Sequence, residues 1–281
     1  MPRTQPSTAV ALALSTHPGP GLAVSVVTAL LGLGVGLEPW RIALLGLAML
    51  AGQCSVGLSN DWIDAARDTA VGRADKPVAR GWVSAEAVRT AAFATAALAL
   101  VLTIPLGGVA LAVHTLFIAS AWAYNLGLKK TVFSVVPYIV SFGSLPLLAT
   151  TALPQPSTAP WWGLGAGALL GVSAHIANVL PDLADDAATG VRGMPHRLGR
   201  RASGLLIAGS LAAASALIAF GHGVAPSALE WTALAVTLAL AVAAAVLATT
   251  RPPTRLLFQL IIAAALINVV MLALSGERLI A

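Results

Sequence analysis

The residues best suited to chemistry in this sequence come as a repeated set. Asn60, Asp64, Asp68 and Gly72 form the pattern N-x3-D-x3-D-x3-G, and Asn178, Asp182, Asp186 and Gly190 form it again, with all four positions offset by 118 residues. Each copy runs into a basic segment, GRADKPVARG after the first and GVRGMPHRLGRR after the second. Such a match is not a chance product in a chain with only 11 acidic residues, and a fixed offset is the mark of a repeated unit. On an α-helix, residues four apart lie on nearly one face, about 6 Å apart along the axis. Carboxylates in such a row repel one another unless something positive lies between them. Two rows on facing helices make a cage of oxygen donors for a hard divalent cation. Mg2+ takes one or two carboxylates, keeps some waters and fills its shell with substrate phosphate oxygens. An EF-hand calcium loop is excluded, because its alternating ligands and central glycine are absent. The plainer alternative is a solvated row of acids at a helix end, and duplication in register argues against it.

The elements that must carry these residues are apolar. Of 281 residues, 58% are apolar and 10% charged, with a mean hydropathy of +0.87. A soluble domain carries about 25% charged residues. Nine stretches are long enough for a hydrocarbon core of about 30 Å: 21–37, 41–59, 84–105, 108–125, 132–150, 161–180, 202–220, 228–249 and 254–274. Gly107-Gly108 marks the turn between the third and fourth. The first stretch lacks a small-residue cleavage site and is a span, not a signal peptide. The expected fold is all-α: a polytopic membrane protein of nine transmembrane helices around a central cavity, with the two Asp-rich motifs pseudo-repeated in a single domain over 1–281. Cys54 stands alone, which excludes a disulfide framework within the chain.

Charge orients this arrangement. With the N-terminus inside, 14 of the 16 Lys and Arg lie on one side, and only Arg41 and Arg278 on the other. That is the positive-inside pattern and places the Asp-rich motifs on the cytoplasmic side of the cell membrane. The net charge of +5 therefore reflects membrane orientation, and no nucleic-acid partner is expected. Eight of the eleven acids gather on the same side, although acids contribute little to orientation. Carboxylates, Mg2+ and basic residues at a membrane face make a site for a lipid diphosphate.

At these residues the chain resembles the UbiA superfamily of intramembrane prenyltransferases, whose members typically have nine spans and two Asp-rich motifs. Asn60, Asp61, Asp64 and Asp68 match the first family motif, N-D-x2-D-x3-D, in full. Asp182 and Asp186 match the second, D-x3-D, with Asp185 adjacent. Tyr124 followed by Lys129 and Lys130 is similar to a third family feature, a Tyr ahead of a basic residue after the fourth span. Two positions depart from the pattern. Lys76-Pro77 stands where many members carry Arg-Pro, and Arg192 where many carry Lys. Both swaps keep the charge, though only Arg offers a bidentate fork.

The resemblance implies Mg2+-dependent transfer of a prenyl group from an isoprenyl diphosphate to a small acceptor, an aromatic or quinone precursor or an alcohol. Asp64, Asp68, Asp182 and Asp186 would hold the metal, with Asn60 and Asn178 assisting. Arg73, Lys76, Lys129, Lys130 and Arg192 would contact phosphate, or serve only as orientation charge. Asp61 would orient a metal ligand or deprotonate the acceptor, and Tyr124 would face the cavity or sit in the interfacial belt. His175, three residues before Asn178, is an acceptor contact or a packing residue; His114 and His222 have weaker claims. Trp40, Trp82, Trp161, Trp162 and Trp231 lie near span ends as in an interfacial belt, whereas Trp62 lies inside the first motif. An intramembrane terpene cyclase would use the same diphosphate site without an acceptor. It needs aromatic faces for migrating cations, and aromatics are only 5% of this chain. A transporter or a lipid-binding protein is the remaining alternative, but transport acids usually lie near the membrane midplane.

Overall fold

The computed structural model describes residues 6–180, 183, 190–250 and 255–281, with the backbone alone at 255 and 258. Helices are the only regular elements among them. In chain order they are α1 Thr8–Ser15, α2 Pro18–Gly34, α3 Pro39–Ala70, α4 Ala85–Thr103 and α5 Gly108–Leu126, then α6 Val136–Thr151, α7 Trp161–Val179, α8 Met194–Phe220, α9 Ala228–Thr250 and α10 Arg255–Leu274.

Local sequence sets where these helices begin and end. Proline in the first turn opens α2, α3 and α8, where a missing N–H costs nothing. Ser7 and Ser84 cap α1 and α4 by accepting from the backbone N–H groups of Val10 and Ala87. Gly72 and Gly190, the fourth positions of the two motif copies, both adopt left-handed backbone, with φ of 67° and 81°. In the first copy this turn follows directly on the end of α3, a position where glycine is favoured because it lacks a Cβ.

Neighbouring helices pack in chain order and the set closes on itself. α2 packs on α3, α3 on α4 and α5, and each of α5 to α9 on its successor, while α10 returns to α2. One apolar core joins Leu31, Leu45, Phe117, Leu148 and Trp162; a second joins Leu170, Ile207, Leu211 and Ala244. The outer surface stays apolar too, with Leu47, Val101, Leu116, Val242 and Leu266 all exposed. A surface of that kind belongs against hydrocarbon, since water would penalise it.

Among the described residues, five helices are long and apolar enough to cross a membrane: α3, α4 with the turn that follows it, α5, α8 and α9. The number rises to six if α1 and α2, which meet at a 59° bend, form one crossing. The first apolar stretch thus starts earlier than expected and is broken at residues 16–17. α6 is apolar but only 16 residues long, and α7 is diluted by Gly, His175 and Asn178, so α6 falls short in length and α7 in apolarity.

Candidate functional site

α3 is continuous from Pro39 through the whole first motif to Ala70, so the motif rides on a membrane-length helix and not on a loop. Its face turns from apolar to charged along its length. Gln53, Val56, Asn60, Asp64 and Arg67 line one side of a cavity of about 540 Å³, a size typical of small-molecule sites. Lys76, Arg73, Lys129 and Asn178 join the charged end, while Val24, Phe117, Phe142 and Ala174 line the rest. The described lining comes from the α1–α2 elbow, from α2, α3, α5, α6 and α7, from the loops after α3 and α5, and from Val191.

The first-motif carboxylates are buried, and cations neutralise them. Asp64 Oδ2 accepts from Lys129 Nζ at 2.5 Å, Arg67 Nη2 at 3.1 Å and Asn60 Nδ2 at 3.3 Å. Asp68 Oδ1 accepts from the Arg67 fork at 3.1 and 3.2 Å, and its Oδ2 is buried without a partner among the described residues. Asp61 Oδ1 accepts from Lys76 Nζ at 2.6 Å and lies 2.7 Å from His17 Nε2. Lys76 Nζ also donates to Asn60 Oδ1 at 3.3 Å. Asn125, on α5, fixes the row from the side, donating to Ser59 Oγ and Val56 O and receiving Asn60 Nδ2.

Charge in the loops follows from these pairings. Burial pulls the Lys129 ammonium below the ordinary lysine range, against the opposing pull of Asp64. Asp75 is held down to about 2, chiefly by the Arg73 guanidinium, which grips both its oxygens at 2.9 Å.

The expected residues therefore divide by position. Asn60, Asp64, Arg73, Lys76, Lys129, Tyr124 and Asn178 all line one cavity. Asp61 and Asp68 are buried beside it without lining it. Lys130 is exposed, and Arg192 lies with Leu183, His196 and Arg197 at a second cavity. Asp182, Asp185 and Asp186 lie outside the described residues. Asn178 Nδ2 reaches Tyr138 Oη at 3.4 Å, within an aromatic wall in which Tyr138 meets Tyr124 edge-on at 5.3 Å and stacks on Phe142 at 6.1 Å. His175 packs behind that wall, 4.8 Å from the Tyr138 ring, and contacts Ser134 Oγ at 3.0 Å. Trp62 turns away from the cavity to Phe93 and Trp122. Asn125, expected beside Tyr124 at the inner end of the fourth span, lines the cavity too. His17 and Tyr138 carry no mark in the sequence motifs; no spacing pattern connects His17 to a motif more than 40 residues away.

As a donor set for Mg2+, Asn60, Asp64 and Asp68 offer hard oxygens on one helical face, and the orphaned Asp68 Oδ2 is a spare acceptor. Among the described residues no three His, Cys, Asp or Glu side chains converge. The first copy alone would supply at most a partial shell for such an ion.

Three solved structures share this fold. A UbiA homologue from Archaeoglobus fulgidus, bound to GPP and Mg2+, superposes with a TM-score of 0.73 at 13% identity, covering 94% of this chain and 99% of its own. A UbiA homologue from Aeropyrum pernix K1 without ligand gives 0.70 at 20% identity, with 94% and 96% covered. A digeranylgeranylglyceryl phosphate synthase gives 0.67 at 16% identity, with 96% and 99% covered. No curated protein matches the chain by sequence. The model of the UbiA prenyltransferase family matches residues 21–258, so that the repeated motif, the helical fold and the cavity lie almost wholly within the match, and the chain belongs to that family.

Proposed function

We propose that this protein transfers a prenyl group from an isoprenyl diphosphate to a small acceptor inside the membrane, with Mg2+ as cofactor. The observation that carries this reading is the polarity gradient of the cavity. Asn60, Asp64, Arg73, Lys76 and Lys129 make part of its lining charged, and most of the rest is apolar and aromatic. A molecule with one diphosphate end and one hydrocarbon end fits such a gradient; a transported ion has no use for the apolar part. The homologue with GPP and Mg2+ supports the same substrate class.

Asn60, Asp64 and Asp68 would hold the metal from α3, and Asn178, Asp182 and Asp186, the matching positions of the second copy in sequence, would complete the ligand set. Mg2+, when bound, neutralises charge on the diphosphate as it leaves. Lys129 and Arg73 bind diphosphate oxygens from the loops, and Lys76 is tied into the same network through Asn60 and Asp61. Breaking the allylic C–O bond leaves a carbocation, and the faces of Tyr124, Tyr138 and Phe142 lie where they can steady it. The apolar walls exclude water that would otherwise capture it.

The remaining features of the reading are architectural. The nine apolar stretches all cross the membrane as one domain over 1–281, with the Asp-rich copies on the cytoplasmic side. A second reading, an intramembrane terpene cyclase, draws support from the four aromatic rings that line the cavity, Phe117, Tyr124, Tyr138 and Phe142. One experiment separates the two. Purified protein is given Mg2+ and prenyl diphosphates of 10 to 20 carbons, with and without acceptors. Diphosphate release coupled to an acceptor supports transfer, and a hydrocarbon or terpene alcohol without acceptor supports the cyclase. Failure of EDTA to stop either reaction would remove the metal from the reading.

A further inference from the structure

Transfer to an acceptor leaves a proton to be disposed of, and Asp61 was a sequence candidate to take it. The structure makes that role awkward, because the Asp61 side chain is 1% exposed and does not line the cavity. The group that does reach the cavity from Asp61 is His17, whose side chain is 40% exposed. Its Nε2 lies 2.7 Å from Asp61 Oδ1 and 3.0 Å from Lys76 Nζ. A carboxylate behind an imidazole orients the ring and steadies its protonated form, the relation of base and orienting group seen in many nucleophile-activating sites.

Two further features show that His17 is held in place. It is the one non-glycine residue with positive φ among the described residues, at 53°. Side-chain-bearing residues adopt that conformation at a cost and keep it only where their surroundings enforce it, often at functional sites. The enforcing contact is at Gly57 of α3, where the Thr16 carbonyl occupies the space a Cβ would need. The elbow between α1 and α2 is thereby seated backbone to backbone on α3, one turn before Asp61.

Resting on the prenyl-transfer reading, we propose that His17 is the general base that deprotonates the acceptor, with Asp61 as its positioning residue. The allylic C–O bond breaks with its electron pair going to diphosphate. The acceptor's oxygen or aromatic carbon supplies the pair for the new bond, and the proton it loses goes to His17 Nδ1. That nitrogen makes no hydrogen bond among the described residues, since Nε2 faces Asp61. The charged groups around the ring are Asp61 from α3 and Lys76 from the following loop, with Arg73 and Asp75 lining the same cavity. The Asp61 carboxylate pairs with the Lys76 ammonium at 2.6 Å beside the ring. Ionisation of the diphosphate itself needs no base, and this separates the two steps experimentally.

The test uses purified full-length protein, Mg2+ and geranyl diphosphate. The acceptor probes are a phenol (4-hydroxybenzoate), a dihydroxynaphthoate and an alcohol (glycerol phosphate). His17→Asn keeps a residue that tolerates left-handed backbone but removes the base. Prenylated product should fall by about 100-fold or more, while acceptor-free diphosphate release stays within about threefold of wild type. His17→Gly should lose product likewise and regain part of it when imidazole is added. Unchanged product formation by His17→Asn overturns the proposal alone. So does a parallel loss of product and acceptor-free release, the mark of a structural role. A wild-type protein that shows no metal-dependent release, or releases diphosphate without prenylating any probe, overturns the transfer reading and this proposal with it.

Discussion

Asp64 and Lys129 form the most consequential pair at the residue scale, because both are buried and both face the cavity. Asp64→Asn keeps the shape and removes the charge that would hold Mg2+. Turnover should fall by at least about 100-fold, and the circular-dichroism spectrum in detergent should remain helical. A variant with near wild-type turnover would break the assignment of Asp64. Lys129 adds a pH effect. Its folded-state pKa lies below the ordinary value, so the folded state binds the proton less well than the unfolded chain does. The penalty on its buried charge is full below that lowered value and is relieved as pH rises toward about 10.4, so this group makes folding more favourable with rising pH in that window. The proposed function runs the other way, since the cation assigned to diphosphate binding is lost there. kcat/KM for the prenyl diphosphate should decline on the alkaline side before ordinary lysines titrate, and Lys129→Arg should flatten that decline because a guanidinium keeps its proton. An identical alkaline limb in the Arg variant would assign the titration elsewhere.

At the scale of elements, the proposed role of His17 depends on the α1–α2 elbow meeting α3 at Gly57. Gly57→Val would place branched carbons where the Thr16 backbone lies, and backbone cannot yield as a flexible side chain can. The elbow should lift and carry His17 away from Asp61. Turnover should then drop to the level of His17→Asn, and the double variant Gly57→Val with His17→Asn should be no worse than either single one. Additive losses would mean that the elbow and His17 act independently. This element also marks the limit of what the sequence discloses. The motif on α3 is legible because a period of four on a helix is a one-dimensional signal, and Gly72 and Gly190 keep the repeat visible in the backbone. His17 is not legible. Its place at the site arises from a helix break and a close approach between segments 40 residues apart, and Lys76 and Lys129 reach their carboxylates across loops whose path no local pattern encodes. Trp62 shows the converse, since it lies inside the motif in sequence yet packs on Phe93 and Trp122 away from the cavity.

For the whole molecule, composition and charge carried most of the reading. The apolar exterior and the helix order follow from nine hydrophobic stretches, whereas among the described residues five helices, or six with the bent pair, are long and apolar enough to cross a membrane. Three stretches make up the difference: α6 is short, α10 is counted only over Gln259–Leu274, and α7 gives up apolar residues to His175 and Asn178, which face the interior of the protein. A helix shielded by neighbours on several sides can cross a membrane with less hydropathy than an isolated one, because only its lipid-facing strip meets hydrocarbon. Orientation is then a matter of which loops meet which solution, and the charge asymmetry makes a definite claim about it. Replacing Cys54 with Ala leaves no thiol in the chain, so a single new cysteine reports only its own position. Ser157→Cys, in the nearly uncharged loop between α6 and α7, should react with a membrane-impermeant maleimide added outside intact cells. Ala79→Cys, in the basic loop after α3, should react only once the membrane is permeabilised. An odd number of crossings between these two loops separates them, so labelling of both from outside would overturn the span count between residues 79 and 157 and the cytoplasmic placement of the Asp-rich site together.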